Sequence, residues 1–374
     1  MSGKNEKGEY AGAGVDYTQI DPFKQTMIGV GQRTLTFPNA RGVTVRSDIL
    51  HAHGTVFMYR GLMLCQTTEG LGNKNWIAEW MYQNAGTGRT YYESIGIDTA
   101  LMAVNDLIAQ GAMPAIYTDE VAAGESEWFA DKKRAGVLAE SFYRVCEMVG
   151  MALPAGESPS LKFLVRAELP VKSAPVLSGC VTGIIFPASR LITGENLRSG
   201  DAIIGAASSG IHANGISLVI KRAMSLPDAF LTRLPNGNTL GDEALIPTTS
   251  YVNLVEALLE AEVNIHAIAP GTGSGVAKVA FDHRPYRYVI TDWIPEIPPL
   301  FRFMQELGVS LHDCLTTFNW GIGYYIFVAK DEADRVIDIG RGAGYDLLQV
   351  GHVEEGRREV WFDPEGITLP PPGE

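Results

Sequence analysis

The chain has 374 residues, of which 46% are hydrophobic and 20% charged, with 43 acidic against 30 basic side chains and a formal net charge of −13. This is a globular composition, long enough for two cores. With no basic block, binding nucleic acid through its phosphates is disfavoured, while a nucleotide substrate stays open because magnesium can supply positive charge.

The first 45 residues read as an irregular arm that opens on a polar stretch with no apolar signal core. Strand-like runs follow at 55–67 and lead into TTEGLGNKNW (67–76). There Glu69 and Lys74 flank Gly70 and Gly72, a set that could hold a metal and a phosphate or form a polar turn after a strand. DTALMAVNDLIAQGAMP (98–114) predicts a helix, with Leu101, Val104 and Ile108 at helical spacing, Gly111 at its end and Pro114 beyond. Asp98 and Asn105 are seven residues apart, near one face, with Asp106 one step round. They suit magnesium, or else Asp98 is an N-cap and the Asn-Asp pair is solvated. Asp119 and Glu120 close the strand-like PAIYT, and a second helix is expected over 131–148. Gly156–Glu157–Ser158 reads as a loop, with strands near 163–168 and 177–186.

Pro187 and ITGENLRSGD (192–201) divide the chain into 1–186 and 187–374. Strand 202–207 then leads through SSGIHANG (208–215) into a helix over 216–224. Backbone N–H groups there, Ser209 and Gly210 among them, favour an anion, unless the loop is only a helix entry with His212 exposed. GTGSG (271–275) lacks the Lys-Ser or Lys-Thr of a phosphate loop. Further helices are expected at 249–261 and 331–340, with strands at 286–291 and 324–329 and a solvated Pro-rich tail. The alternation has no clean βαβ repeat, which points to α+β domains with mixed sheets. Cys65, Cys146, Cys180 and Cys314 form no paired motif, as suits a reducing cytosol, and no apolar run approaches the roughly 20 residues that span a bilayer. A cytoplasmic protein with neither membrane nor nucleic acid as partner is expected.

Five ordered segments carry a resemblance: YAGAGVDYTQID (10–21), IGIDTALMAVNDLIAQGAMP (95–114), SSGIHANGISLVIK (208–221), PTTSYV (247–252) and TFNWGIGYYI (317–326). Together they are similar to the aminoimidazole ribonucleotide synthetase (phosphoribosylformylglycinamidine cyclo-ligase) family. The resemblance implies a two-domain α+β fold, with mixed sheets, helices packed on one side, and N-terminal domains pairing into a dimer barrel. It implies ATP and Mg2+ as cofactors, a small ribonucleotide as substrate and a homodimer. TTEGLGNK falls where the family has T-D-G-V-G-T-K, so the implied metal ligands are Glu69, Asp98, Asp106 and Glu157. Gly70, Gly72, Lys74, Asn105, Asp119, Ser209 and Gly210 would join them around the nucleotide, with Lys74, His212 and Asn214 as catalytic groups.

The implied reaction is phosphorylation of the formyl amide oxygen of formylglycinamidine ribonucleotide, then ring closure to aminoimidazole ribonucleotide with loss of phosphate. Several positions depart from the family. Glu69 replaces an aspartate, Asn73 a threonine, and AGESPSLK (155–162) lacks a second glycine. Thr249, Asn253 and Glu125 replace basic residues, and Pro270 and Ser274 alter a glycine loop. These departures also fit a non-catalytic nucleotide-binding paralogue, or another ATP-dependent phosphoryl-transfer enzyme of the same superfamily.

Overall fold

Arg60 and Gly61 both adopt positive φ, the geometry that lets a two-residue turn follow the twist of a hairpin, and they join two strands, Thr55–Tyr59 and Leu62–Gly70. The computed structural model describes residues 9–49 and 53–372. The polar stretch 1–8 and the last two residues of the tail lie outside that range. The first sheet contains β1 (Val43–Val45), β2 (Thr55–Tyr59), β3 (Leu62–Gly70), β4 (Met113–Ala122), β5 (Ala152–Glu157) and β6 (Val176–Ile185), in the order β1-β2-β3-β6-β4-β5. Only β4 and β5 run parallel.

Side chains alternate across this sheet with period two. Met63, Cys65, Tyr117, Val181 and Ile185 are buried, whereas Leu62, Ile116, Val176 and Ile184 on the other face stay exposed. The helices of this half are α1 (Glu9–Gly12), which contacts helices Ile216–Ala223 and Leu311–Thr317 of the second half, α2 (Tyr17–Thr34), α3 (Lys74–Asn84), α4 (Ile95–Ile108) and α5 (Lys132–Val149), of which α4 packs directly on β3, β4 and β6 and against α3 and α5. Every residue of α4 is buried. Its close approach to α5 depends on Gly96, where a Cβ would stand 2.7 Å from the Phe142 backbone nitrogen.

The second sheet contains β7 (Ala202–Ala207), β8 (Ile265–Pro270), β9 (Tyr286–Ile290), β10 (Ile322–Val328), β11 (Leu347–Glu355), β12 (Glu359–Phe362) and β13 (Ile367–Leu369), ordered β13-β12-β9-β11-β7-β10-β8. Strands β8 and β10 are buried along their whole length, which suits their largely apolar sequence; the imidazole of His266 in β8 is held 2.7 Å from Asp201. Around them lie α6 (Ile216–Ala223), α7 (Leu240–Ala244), α8 (Val252–Glu260), α9 (Pro299–Glu306), α10 (Leu311–Thr317) and α11 (Ala333–Gly342). Both sheets are mixed, as expected, and among the described residues no helix is long and apolar enough to cross a membrane.

Four local expectations are corrected. The arm contains an 18-residue helix, α2, whose start is fixed by Asp16 accepting a hydrogen bond from the Thr18 N–H; Pro22, Gly29 and Gly31 obscured it in the sequence. Residues 163–168 form no strand, and the Gly156–Glu157 pair ends β5 instead of lying in a loop. Strands β1, β8, β11, β12 and β13 had not been anticipated, and β13 places residues 367–369 of the tail expected to be solvated in the second sheet, with Leu369 buried.

Candidate active site

Glu69 is the next-to-last residue of β3, and pairing across the sheet aligns it with Gly179, Asp119 and Gly156 in one row. That row faces the helices. Asp119 fits beside β5 only because Gly156 lacks a Cβ, which would lie 2.1 Å from Asp119 Oδ1. The Tyr117 hydroxyl occupies the space over Gly179; it is buried and has no hydrogen-bond partner. Burial pushes the carboxyls of both Glu69 and Asp119 above their ordinary pKa.

Helix α4 brings Asp106 to Glu69. Burial, and then the Glu69 charge, push the Asp106 carboxyl up to about 7, while Lys278 and a 3.4 Å hydrogen bond from Thr272 Oγ1 oppose the shift. Lys278 comes from a 3-10 turn, Gly275–Ala280, and its charge acts on both carboxylates as burial lowers its own pKa. Sequence reasoning missed this lysine. Its signal was GTGSGVAK, where GTGSG was set aside for lacking the Lys-Ser or Lys-Thr of a phosphate loop and the lysine three residues on was not considered.

The other expected ligands go elsewhere. Asp98 Oδ1 accepts hydrogen bonds from the backbone N–H and Oγ1 of Thr248, at 2.7 and 2.6 Å, and Asp98 Oδ2 stands 2.9 Å from Lys74 Nζ. Lys74 also donates to the Ile246 carbonyl at 2.7 Å, and both side chains are fully buried. Burial raises the Asp98 pKa and lowers that of Lys74, each opposed by the charge of the other. This carboxylate and this ammonium are spent on one another and on the chain segment 246–248.

Glu157 pairs with Glu120 in the row next to that of Glu69, so it projects from the opposite face of the sheet. Three strand spacings also separate β5 from β3, about 14 Å. The four expected metal ligands therefore do not assemble within one chain. Among the described residues no three His, Cys, Asp or Glu side chains gather as a metal centre. What does assemble is the pair Glu69 and Asp106, two acids whose pKa values burial raises. They fit a single divalent ion that keeps several waters of its own.

Asn105 also turns to the second half. Its Nδ2 donates to the Thr249 carbonyl at 2.9 Å, and its Oδ1 accepts from the Tyr251 N–H at 3.2 Å. Ser209 donates through Oγ to the Pro247 carbonyl at 2.6 Å, and its N–H reaches Thr249 Oγ1 at 3.1 Å. Residues 246–251 are thus clasped between α4 and the loop 208–215. Gly210 in that loop has φ 152°, and its carbonyl accepts from Asn319 Nδ2 at 2.8 Å.

His212 is buried, not exposed, with left-handed φ of 59°. Its ring has room because Gly323 faces it; a Cβ there would meet His212 Cε1 at 2.6 Å. His212 Nε2 accepts from the Thr249 N–H at 3.4 Å, and burial with the nearby Lys74 charge pushes the imidazole pKa down to about 3. Asn214 Nδ2 is buried with no hydrogen-bond partner among the described residues. Gly72, with φ 72°, turns the chain beside this loop, the place of its missing Cβ being 4.0 Å from the Ala213 carbonyl; Gly70 ends β3.

Two mixed sheets clasped through such a segment define the class. Residues 54–185 match the AIR synthase related protein, N-terminal domain, and residues 198–363 match its C-terminal domain. The chain belongs to the AIR synthase related family. Its relatives include the phosphoribosylformylglycinamidine cyclo-ligase of Methanothermobacter thermautotrophicus, 33% identical over 302 residues, which are 79% of this chain and 81% of that protein. The protein of the same name from Pyrococcus horikoshii is 29% identical over 360 residues, 96% and 99% of the two chains. Among solved structures, AaThiL complexed with AMPPCP and TMP shares the fold with a TM-score of 0.59 at 14% identity, over 94% of each chain. Hydrogenase maturation protein HypE in complex with ATP does so with a TM-score of 0.55 at 17% identity, over 82% of this chain and 83% of that one.

Proposed function

We propose that this protein is an ATP-dependent cyclo-ligase that converts formylglycinamidine ribonucleotide to aminoimidazole ribonucleotide, a step of purine biosynthesis. The observation that carries this reading is the desolvated pair Glu69 and Asp106 in a chain similar over most of its length to proteins named for that activity. ATP transfers its terminal phosphoryl group to the formyl amide oxygen; the amidine nitrogen then attacks the adjacent carbon, loses a proton and expels phosphate. Magnesium, held by Glu69 and Asp106, would offset the charge of the phosphates.

His212 is the candidate acceptor of the amidine proton, a role that requires the bound anionic ligand to offset the Lys74 charge, which together with burial holds the imidazole pKa down to about 3. Asn214 Nδ2 supplies a donor to the bound molecule. Lys74 acts as a positioning residue, through Asp98 and the Ile246 carbonyl. The same reading includes a division of the chain near residue 187 and a cytoplasmic setting. It also includes a homodimer through the uncovered face of the first sheet, where apolar side chains stand exposed.

The test is imidazole formation coupled to ATP hydrolysis, with magnesium varied, for the parent, Glu69→Asp and Glu69→Gln. Glu69→Asp should keep activity and Glu69→Gln should lose it. Equal rates for parent and Glu69→Gln would remove Glu69 from the site. ATP binding without ring closure would instead mark a nucleotide-binding protein that lacks this chemistry.

A further inference from the structure

A cleft of about 690 Å3 opens beside the glycine turn at 70–72, between the segment 165–177 of the first half and α6 of the second. Hydrogen bonds tie its walls together. Asn73 Nδ2 donates to Ser217 Oγ at 2.8 Å across the two halves, and Trp76 Nε1 donates to the Glu168 carbonyl at 2.8 Å. Much of the lining is apolar, with Trp76 and Leu177 from one wall facing Ile220 and Met224 from the other.

Two cations line this cleft from opposite walls, Arg166 and Lys221, against one acidic side chain, Glu168. The N-terminal segment lies over the α6 side, where Glu9 binds Arg222 Nη2 at 2.6 Å but stands 3.9 Å from Lys221 Nζ. Arg222 is therefore committed to the segment, whereas Lys221, 45% exposed, is held only loosely. Meanwhile the clasped segment 245–253, LIPTTSYVN, contains no basic residue, and its Thr249 is occupied by Ser209 and His212. The cleft thus offers positive charge that the clasped segment lacks.

We propose that this cleft receives the phosphate end of the ribonucleotide, with Arg166 and Lys221 gripping the phosphate monoester from the two walls. Charge-assisted hydrogen bonds from a guanidinium and an ammonium suit the oxygens of a phosphate monoester. The inference rests on the ribonucleotide reading above and locates one end of that substrate.

Calorimetry on the full chain tests it, with ribose 5-phosphate as probe and ribose as control, alongside KM for formylglycinamidine ribonucleotide. The parent should bind ribose 5-phosphate and not ribose. Arg166→Gln and Lys221→Gln should each weaken that binding and raise the ribonucleotide KM about tenfold, leaving KM for ATP unmoved, as expected for a lost charge-assisted contact. Glu9→Gln separates this role from a structural one: it releases Lys221, so phosphate binding should hold or tighten. No ribose 5-phosphate binding by the parent at millimolar concentration overturns the proposal. So do unchanged affinity in both cation variants and a loss in Glu9→Gln equal to that in Lys221→Gln. Phosphate binding that needs both cations in a protein forming no imidazole would sink the cyclo-ligase reading and leave the cleft standing. Full turnover with KM indifferent to both substitutions would do the reverse.

Discussion

Lys74 Nζ stands 2.9 Å from Asp98 Oδ2, and neither side chain is exposed to solvent. A buried pair of this kind stabilises little overall, yet breaking it leaves a charge stranded in a poor dielectric. Lys74→Met should therefore cost about 3–5 kcal/mol in urea unfolding. Adding Asp98→Asn should recover part of the loss, because the stranded carboxylate is gone. A Lys74→Met protein that unfolds like the parent but cannot use ATP would mean that this ammonium serves the nucleotide directly.

Asp106 gives a pH dependence of definite sign. Its ordinary pKa of 3.8 rises to about 7 in the fold, so between those values the folded state holds a proton that the unfolded chain releases. Stability from this group is therefore lost as pH rises from about 4 to about 7. Asp106→Asn should flatten that slope and stabilise the metal-free protein at pH 8 by about 2–4 kcal/mol, while turnover falls sharply. Magnesium should raise the Tm of the parent at pH 8 and leave that of the variant unchanged. A parent whose Tm ignores magnesium would count against the acid pair as a cation site.

The histidines run the other way. His212 and His53 are both held down to about 3, by burial and then by Lys74 and Lys278 respectively. The unfolded chain takes up protons near pH 6.5 that the fold refuses, so stability falls as pH drops below about 6.5. His212→Gln should lessen this acid sensitivity by about 1–2 kcal/mol at pH 5. The parent's kcat/KM profile should show no limb near 6.5 belonging to His212. Such a limb, lost in His212→Gln, would show an imidazole that titrates in water.

Ile116 and Ile184 are exposed on the uncovered face of the first sheet. If that face pairs with a second copy, a charge placed there must be buried without a partner. Ile116→Lys and Ile184→Asp should then shift a dimer toward monomer by at least about tenfold in sedimentation at micromolar concentration. A parent that sediments as a monomer would dispose of the dimer.

Much of the molecule was legible in advance where local signals agree with packing. Helix α4 was readable because its apolar spacing, Gly111 and Pro114 all coincide, and β7 because AIIGAA is a continuous apolar run. Asp106 and Glu69, both named from the sequence, do come together in the fold, yet spacing along a helix could not show that Asp98 turns to Thr248 and Lys74. Glu157 failed for a related reason: a strand alternates faces, so one residue of register decides which side a carboxylate serves. Lys278 escaped because its meaning depends on a turn from the second half folding over carboxylates of the first. Long-range placement of this kind leaves no periodic trace.

The clasp on residues 246–251 bears on how such a chain can be divided. Asp98, Asn105 and Lys74 reach across from the first half, and the groups they hold belong to the second. Cut at the connection near residue 187, the first fragment would keep a charged pair with one side newly open to water. The second would keep backbone carbonyls at Ile246 and Thr249 without their donors. Each fragment would keep its own sheet and lose these shared bonds, so exchange of halves between relatives should succeed only where the helix face and the clasped segment travel as a matched set.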